Sequence, residues 1–324
     1  EVEGYSRIRG GWNEGGPYTV YFYARFDTPA KETGTWKSNR LYPGKLSQTD
    51  TNEKTGAYFT YQTVKGQKVC AQVGISFMGT NKAKANLEEM KSWNFEEVRN
   101  TAVNQWNEIL SKVQLTGSEE NKKIFYTAMY HSFLQPVNRT GENPKWASDE
   151  PYYDDYFAIW DTFRATHPLF TLLVPSIQTD MIRSLIDIYK HDGYMPDARS
   201  GNDNGRVQGG SDCDILIADA MVKGLKGIDY ETALQSMIKN AEIAPGGDER
   251  KEGRGGIDDY NTLGYVSTRH ERAGSRTFEY ANCDFAIATV AKRLGKQEIA
   301  EKYYQRSNNW QNIWNDGIES LGHK

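Results

Sequence analysis

Apolar and polar positions alternate with a period of two near the start of the chain. Val69, Ala71, Val73, Ile75 and Phe77 interleave with Cys70, Gln72, Gly74 and Ser76, which makes one face of a sheet apolar along the run. Tyr18 to Phe26 and Tyr58 to Val64 are further β-branched and aromatic runs, with Gly, Asn, Thr and Pro punctuating the stretches between them. The pattern predicts an antiparallel sheet belonging to a β-sandwich. So few long strands do not close a sandwich of ordinary size, so partner strands are expected before Glu1.

After Met78 the period changes. Phe95, Val98, Ala102, Trp106, Ile109 and Val113 recur at helical spacing, and Thr116-Gly117-Ser118 ends that stripe. Ser118 is placed to cap the next helix, with Glu119 and Glu120 in its first turn. Helices are expected near 160–173, 176–190, 214–224, 230–243, 277–294 and 298–314. Several are joined by short Gly-containing connections that favour antiparallel neighbours. Two long polar, Gly-rich segments, Asp192 to Asp214 and Pro245 to Ser275, lie between the pairs, and loops of that length in a compact domain usually carry function. The expected architecture is therefore multidomain, α and β. Residues 1–80 form part of an N-terminal β-sandwich, 81–117 are linker helices, and 118–324 form the first part of a toroid of helix pairs.

Composition narrows the function. The 324 residues carry 39 Lys plus Arg against 43 Asp plus Glu, a net charge of −4, so no basic field exists to hold a phosphate backbone and nucleic acid is excluded as a partner. Mean hydropathy is −0.74 and no apolar run approaches the roughly 18 residues a membrane helix needs. Aromatic residues make up 12% of the chain, an abundance of flat rings. The three cysteines, Cys70, Cys213 and Cys283, are too scattered for a disulfide framework or a zinc site and read as buried thiols. The residues open at Glu1 with neither an initiator Met nor a basic-then-apolar leader, so any signal peptide is expected to have been removed or to lie outside them.

Three segments carry candidate chemistry. The densest runs from Tyr152 to Arg164 and includes Asp154, Asp155, Trp160 and Asp161. Aromatic faces stack on the C–H faces of a sugar while carboxylates and an Arg satisfy its hydroxyls. The same residues also suit a helix start with Trp160 and Phe163 in the core and Asp161 capping or pairing with Arg164. A second segment, Gly201-Asn202-Asp203-Asn204-Gly205-Arg206 followed by Gly209-Gly210-Ser211-Asp212-Cys213-Asp214, is rich in oxygen ligands but lacks the EF-hand spacing and any phosphate-loop Lys, so it reads equally as solvated turns. The third, Thr277 to Phe285, places Glu279 and Asp284 in the first turns of a helix after Ser275, either as dipole-compensating acids or as carboxylates aimed into a toroid. The five His are dispersed and support neither a metal cluster nor a Ser-His-Asp triad.

Taken in order, the segments resemble glycoside hydrolase family 92. Trp160-Asp161-Thr162-Phe163-Arg164-Ala165-Thr166-His167-Pro168-Leu169, Ile217-Ala218-Asp219-Ala220 with Lys223-Gly224, Leu263-Gly264-Tyr265-Val266, Phe278-Glu279-Tyr280-Ala281 and Arg306-Ser307 carry the likeness. Gly210-Ser211-Asp212 and Gly253-Arg254-Gly255-Gly256 are similar to one subgroup more than to the subgroup with a His in the first loop. The resemblance implies a Ca²⁺-dependent, inverting exo-α-mannosidase with an N-terminal β-sandwich and a C-terminal (α/α)6 toroid, acting on mannose-containing glycans and secreted or periplasmic. It implies that Asp161 holds hydroxyls of the terminal mannose, with Trp160 and Arg164 as neighbours, and it puts Glu279 and Asp284 at motif positions without an assigned role. An inverting glycosidase needs an acid and a base about 6.5–9.5 Å apart. The resemblance places both, and the Ca²⁺ ligands, beyond Lys324, so this chain is expected to be an incomplete, inactive piece that needs the remainder of the same enzyme. The alternatives are a noncatalytic glycan-binding or structural module of the same fold, and another toroidal glycosidase or a lyase working through Asp161, Glu279 or Asp284.

Overall fold

The computed structural model describes residues 1–8, 16–315 and 320–321. The chain divides into two compact units, Glu1–Ile8 with Thr19–Ile109, and Arg9–Tyr18 with Leu110–Lys324.

The first unit holds β1 (Val2–Ile8), β2 (Tyr18–Phe26), β3 (Glu32–Lys37), β4 (Arg40–Pro43), β5 (Thr55–Thr60) and β6 (Ala71–Ser76). They form two three-stranded sheets, ordered β1-β2-β6 and β4-β3-β5. β6 runs antiparallel to β2 with Ile75 opposite Phe22, and β3 runs antiparallel to both of its neighbours. The alternation in β6 is real, but the buried side is the polar one. Gln72, Gly74 and Ser76 are covered, whereas Val73 and Ile75 are 52% and 55% exposed. The cause is α1 (Thr80–Leu87), which folds back onto β6 and buries Ala83 and Leu87 with Tyr23. Gly74 permits this approach, because a Cβ there would collide with the Ala83 carbonyl oxygen. Gln72 keeps its polar atoms satisfied by accepting from Arg25 and donating to the Ser92 carbonyl. α2 (Phe95–Leu110) follows the predicted stripe, with Val98, Trp106 and Ile109 only half-buried. Cys70 is half-buried, unlike Cys213 and Cys283, which are enclosed as expected.

The second unit is mostly helical. It contains α3 (Glu119–Ser132), the short strands β7 (Val137–Asn138) and β8 (Tyr153–Asp154), α4 (Ile159–Thr162), α5 (Thr166–Leu173), α6 (Pro175–Asp192), β9 (Arg199–Ser200), β10 (Asp203–Asn204), α7 (Cys213–Val222), α8 (Tyr230–Glu242), α9 (Ile257–Leu263), α10 (Ala273–Arg293) and α11 (Gln297–Arg306). Ser118 caps α3, its hydroxyl accepting from the Asn121 amide. One core joins α5, α6, α7, α8, α10 and α11 through residues such as Phe170, Leu185, Leu216, Met237, Ile287 and Tyr303. α10 packs against α7, α8 and α11, while α5 packs on α6 and α7.

Three boundaries differ from the sequence pattern. The helix expected over 160–173 is broken into α4 and α5, because the ring of Pro168 would collide with the carbonyl of Arg164 in a continuous helix. α10 starts at Ala273 after Arg272, whose φ is 58°, so Ser275 lies inside the helix and does not precede it. The helix expected to reach 314 ends at Arg306 and gives way to a 3-10 turn at Asn309–Ile313. Among the described residues no helix is long and apolar enough to cross a membrane.

Candidate functional site

The aromatic and acidic run from Tyr152 to Arg164 separates into two environments. Its first half is structural. Tyr152, Tyr153, Asp154 and Tyr156 are buried, and Asp154 is gripped by Arg139 at 2.8 Å and by the fully enclosed Arg199 at 3.5 Å. Arg199 also donates to Asp192 at 2.9 Å, Asn204 at 2.7 Å and the Asn202 carbonyl at 3.0 Å. These contacts account for Asn202 and Asn204 of the oxygen-rich stretch, while Asp203 pairs with Lys145. Gly201 and Asn202, with φ of 63° and 65°, form the tight turn of the β9–β10 hairpin, where two left-handed residues in succession are required.

The second half of the run is different. Asp161 and Arg164 are exposed and Trp160 is half-buried, all on or just after the single turn of α4. That turn is anchored from below, since the Ile159 amide donates to the Asp197 carbonyl at 2.9 Å and Phe163 closes back on Ile159. Arg164 does not pair with Asp161. Its guanidinium lies over the Phe163 ring and reaches Glu279 of α10 at 3.4 Å. The Arg164–Glu279 contact thus ties the end of the α4 turn, which carries Trp160 and Asp161, to α10.

Asp284 does not share that surface. It is enclosed, with one oxygen held by Arg254 at 2.7 Å and the other by Tyr260 at 3.1 Å and Arg306 at 3.0 Å. A helix turns by about 100° per residue, so positions 279 and 284 point to different sides of α10. Arg254 in turn donates to Asp214 at 3.1 Å and to the Ser211 hydroxyl at 3.0 Å, and Ser211 donates to Asp214 at 2.6 Å. Burial raises the Asp214 carboxyl to about 6 despite the opposing pull of Arg254. Asp212, beside Glu279, is raised to about 7, first by burial and then by the charges of Glu279 and Asp214. Asp197 is pushed well above the usual carboxylate range by burial and by Asp212. Asp212 and Asp214 stood in the oxygen-rich stretch of the sequence; Asp197 lies in the same long segment, Asp192 to Asp214, where nothing singled it out from its neighbours.

Among the described residues no group of three or more His, Cys, Asp or Glu side chains is arranged to hold a metal ion. Asn202 and Asn204 are committed to Tyr152 and Arg199, and the Asp203 carboxylate to Lys145 and the Gly16 amide, so the 201–206 stretch does not fit a calcium site.

Comparison with known proteins settles the lineage. The N-terminal domain profile of glycosyl hydrolase family 92 matches residues 1–76 and the catalytic-domain profile of that family matches residues 82–324. The chain belongs to glycosyl hydrolase family 92. An inverting mannosidase of the family from Bacteroides thetaiotaomicron superposes with a TM-score of 0.88 at 30% identity, over 99% of this chain and 45% of that one. A second family 92 α-mannosidase from the same organism gives a TM-score of 0.87 at 26% identity, over 99% and 44%. An uncharacterized secreted glycosidase of Arthroderma benhamiae is 34% identical over 309 residues, spanning 88% of this chain and 36% of the relative. The chain thus spans less than half the length of these family members.

Proposed function

We propose that this chain is part of an exo-acting α-mannosidase that releases terminal α-linked mannose from glycans with inversion of configuration. Family membership along both matched segments carries the reading, supported by structural neighbours named as mannosidases. In this reading α5–α6, α7–α8 and α10–α11 belong to an (α/α)6 toroid completed by further residues of the enzyme. The apolar face of β6, with Val73 and Ile75 uncovered, belongs to a sandwich completed in the same way.

Asp161 accepts hydrogen bonds from hydroxyls of the terminal sugar, and Trp160 offers a ring edge or face beside it. Arg164, held by Glu279 and the Phe163 ring, fixes the end of the α4 turn and supplies positive charge at its rim. The family resemblance assigns the acid and the base outside this chain; of the carboxylates within it Asp212, Asp214 and Asp284 are enclosed, whereas Asp161 and Glu279 are accessible and are the candidates if that assignment fails. Calcium, on this view, is also held by residues elsewhere in the enzyme. The relative named as a secreted glycosidase supports a secreted or periplasmic setting.

The test compares the 1–324 chain with a longer chain of family length, using an aryl α-mannoside and an α-linked mannobiose with Ca²⁺ or a chelator. The longer chain should release mannose as the β-anomer, and 1–324 alone should stay near background, since loss of a general acid or base costs about 10²–10⁴ in rate. Robust release by 1–324 would move the acid and base to Glu279 and its neighbours, and an inactive longer chain that still binds mannose would make the fold a noncatalytic glycan-binding module.

A further inference from the structure

Asp197 and Asp212 are 3% and 0% exposed. Asp197 accepts the Asp212 backbone N–H at 2.8 Å through Oδ1, while Oδ2 of each residue is buried without a hydrogen-bond partner among the described residues. The charged groups that face them come from every packed element. α7 brings Asp214 and Cys213, α10 brings Glu279 and Cys283, whose thiol lies 4.0 Å from Asp212, and the chain after α4 brings Arg164. Arg254 approaches from the loop before α9. Both cations are engaged elsewhere, Arg254 with Asp214 and Asp284, and the largely exposed Arg164 with Glu279. Two ionised carboxylates in that setting would be buried charges without a counter-ion, a state that a buried acid avoids by keeping a proton.

We propose that Asp197 and Asp212 each take up a proton from solvent on folding, and that the protonated pair is a positioning device joining the α4 turn to the head of α7. Asp197 makes the joint with two different atoms. Its backbone carbonyl holds the Ile159 amide under Trp160 and Asp161, and its carboxyl holds the Asp212 amide at the start of α7. Asp212 is also the N-cap residue of α7 but makes no side-chain cap hydrogen bond, so the head of that helix depends on its neighbour's carboxyl. Ionisation of both groups would set two negative charges against each other at this joint, beside Glu279. The raised acid constants of both residues agree with the geometry. The inference does not depend on the reaction proposed above.

The sign of the pH effect follows from the proton count. A native state that holds a proton the unfolded chain has released loses stability as pH rises from the unfolded carboxyl range, about 4, through the native value, and one proton corresponds to tenfold in the unfolding constant per pH unit. Denaturant unfolding of the 1–324 chain should therefore show a pH slope that Asp197→Asn and Asp212→Asn each reduce by one proton, and the double variant by two. Asp214, raised to about 6, also titrates here, so slope and spectra are read as differences between wild type and the Asn variants. Infrared spectra should show the carbonyl band of a neutral carboxylic acid persisting near neutral pH in the wild type and weakened in each Asn variant. The Ile159 and Asp212 amide resonances should titrate with the same midpoint, which a merely structural contact would not produce. An infrared band that vanishes by pH about 5, where exposed carboxylates have ionised, would overturn the proposal, as would amide shifts that ignore the titration or slopes unaltered by the Asn substitutions. Should an Asn variant fail to fold, the wild-type titration of the Ile159 and Asp212 amides decides the matter alone.

Discussion

Replacing Arg254 by Met should be among the most damaging single changes in the helical unit. The side chain is fully enclosed and its three donors serve Ser211 at 3.0 Å, Asp284 at 2.7 Å and Asp214 at 3.1 Å, with the guanidinium over the Tyr280 ring at 5.2 Å. Removing one partner of a buried ion pair costs about 3–5 kcal/mol. Two pairs are broken here, but the losses do not add, because Asp284 keeps Arg306 and Tyr260 and Asp214 keeps the Ser211 hydroxyl. Met is similar in length, so little cavity is added, and about 3–5 kcal/mol remains the expectation against a total stability of roughly 5–15 kcal/mol. At about 2–4 °C per kcal/mol for a unit of this size, Tm should fall by about 6–20 °C in a thermal melt followed by far-ultraviolet circular dichroism. The deficit should also be smaller at pH 5 than at pH 7.5. Asp214 has a native value of about 6 with Arg254 present and a higher one without it, so at the lower pH it is already neutral and misses the guanidinium less. Adding Asp214→Asn to Arg254→Met should restore part of the loss near neutral pH. A Tm within about 2 °C of wild type, or a deficit that grows on acidification, would refute the assignment of Arg254 as the counter-ion of this cluster.

In an active, longer parent enzyme, Asp161→Ala should lower kcat/KM for α-mannosides at least about tenfold, since a charged hydrogen bond contributes about 1.5–3 kcal/mol; unaltered kinetics would remove Asp161 from the sugar contact. Gly74→Ala should loosen α1 from β6, because the added Cβ meets the Ala83 carbonyl and Leu87, and hydrogen exchange at the Ala83–Leu87 amides should quicken; equal protection would show that the helix shifts at no cost. Ser118→Ala should cost about 0.5–2 kcal/mol through loss of the α3 cap, measured by urea unfolding, and a neutral result would mean that water replaces the hydroxyl at the Asn121 amide.

Helices with both ends marked were legible in the sequence. α6 begins at Pro175 and stops at Gly193, whose φ of 88° only glycine adopts readily, and α8 starts behind the Asp229 cap. The break between α4 and α5 was equally written there, in the spacing of Pro168 from Arg164, but the continuous apolar pattern masked it. The faces of β6 were misleading for a different reason. Alternation shows that a strand has two unlike faces, and which face is covered depends on what packs there; a glycine on the polar face admitted α1 where larger residues on the apolar face had suggested the core.

Carboxylates posed the harder problem, because an acid that binds a ligand and an acid that holds the fold together have the same composition. Asp154 and Asp161 lie in one run, and Glu279 and Asp284 lie on one helix, yet one member of each pair is enclosed by arginines and the other stands at an accessible surface. The arginines that decide the matter, Arg199, Arg254 and Arg306, come from distant parts of the sequence, where nothing in their immediate neighbours announces a partner. Local patterning therefore located the right segments and could not sort the acids within them. What sorts them is the balance of buried charge. The enclosed carboxylates Asp154, Asp214 and Asp284 each have a guanidinium beside them, and Asp187 has the Trp146 indole and the Ser148 hydroxyl. Asp197 and Asp212, by contrast, have no ion pair among the described residues and each leaves one oxygen without a hydrogen bond, the environment that favours a retained proton.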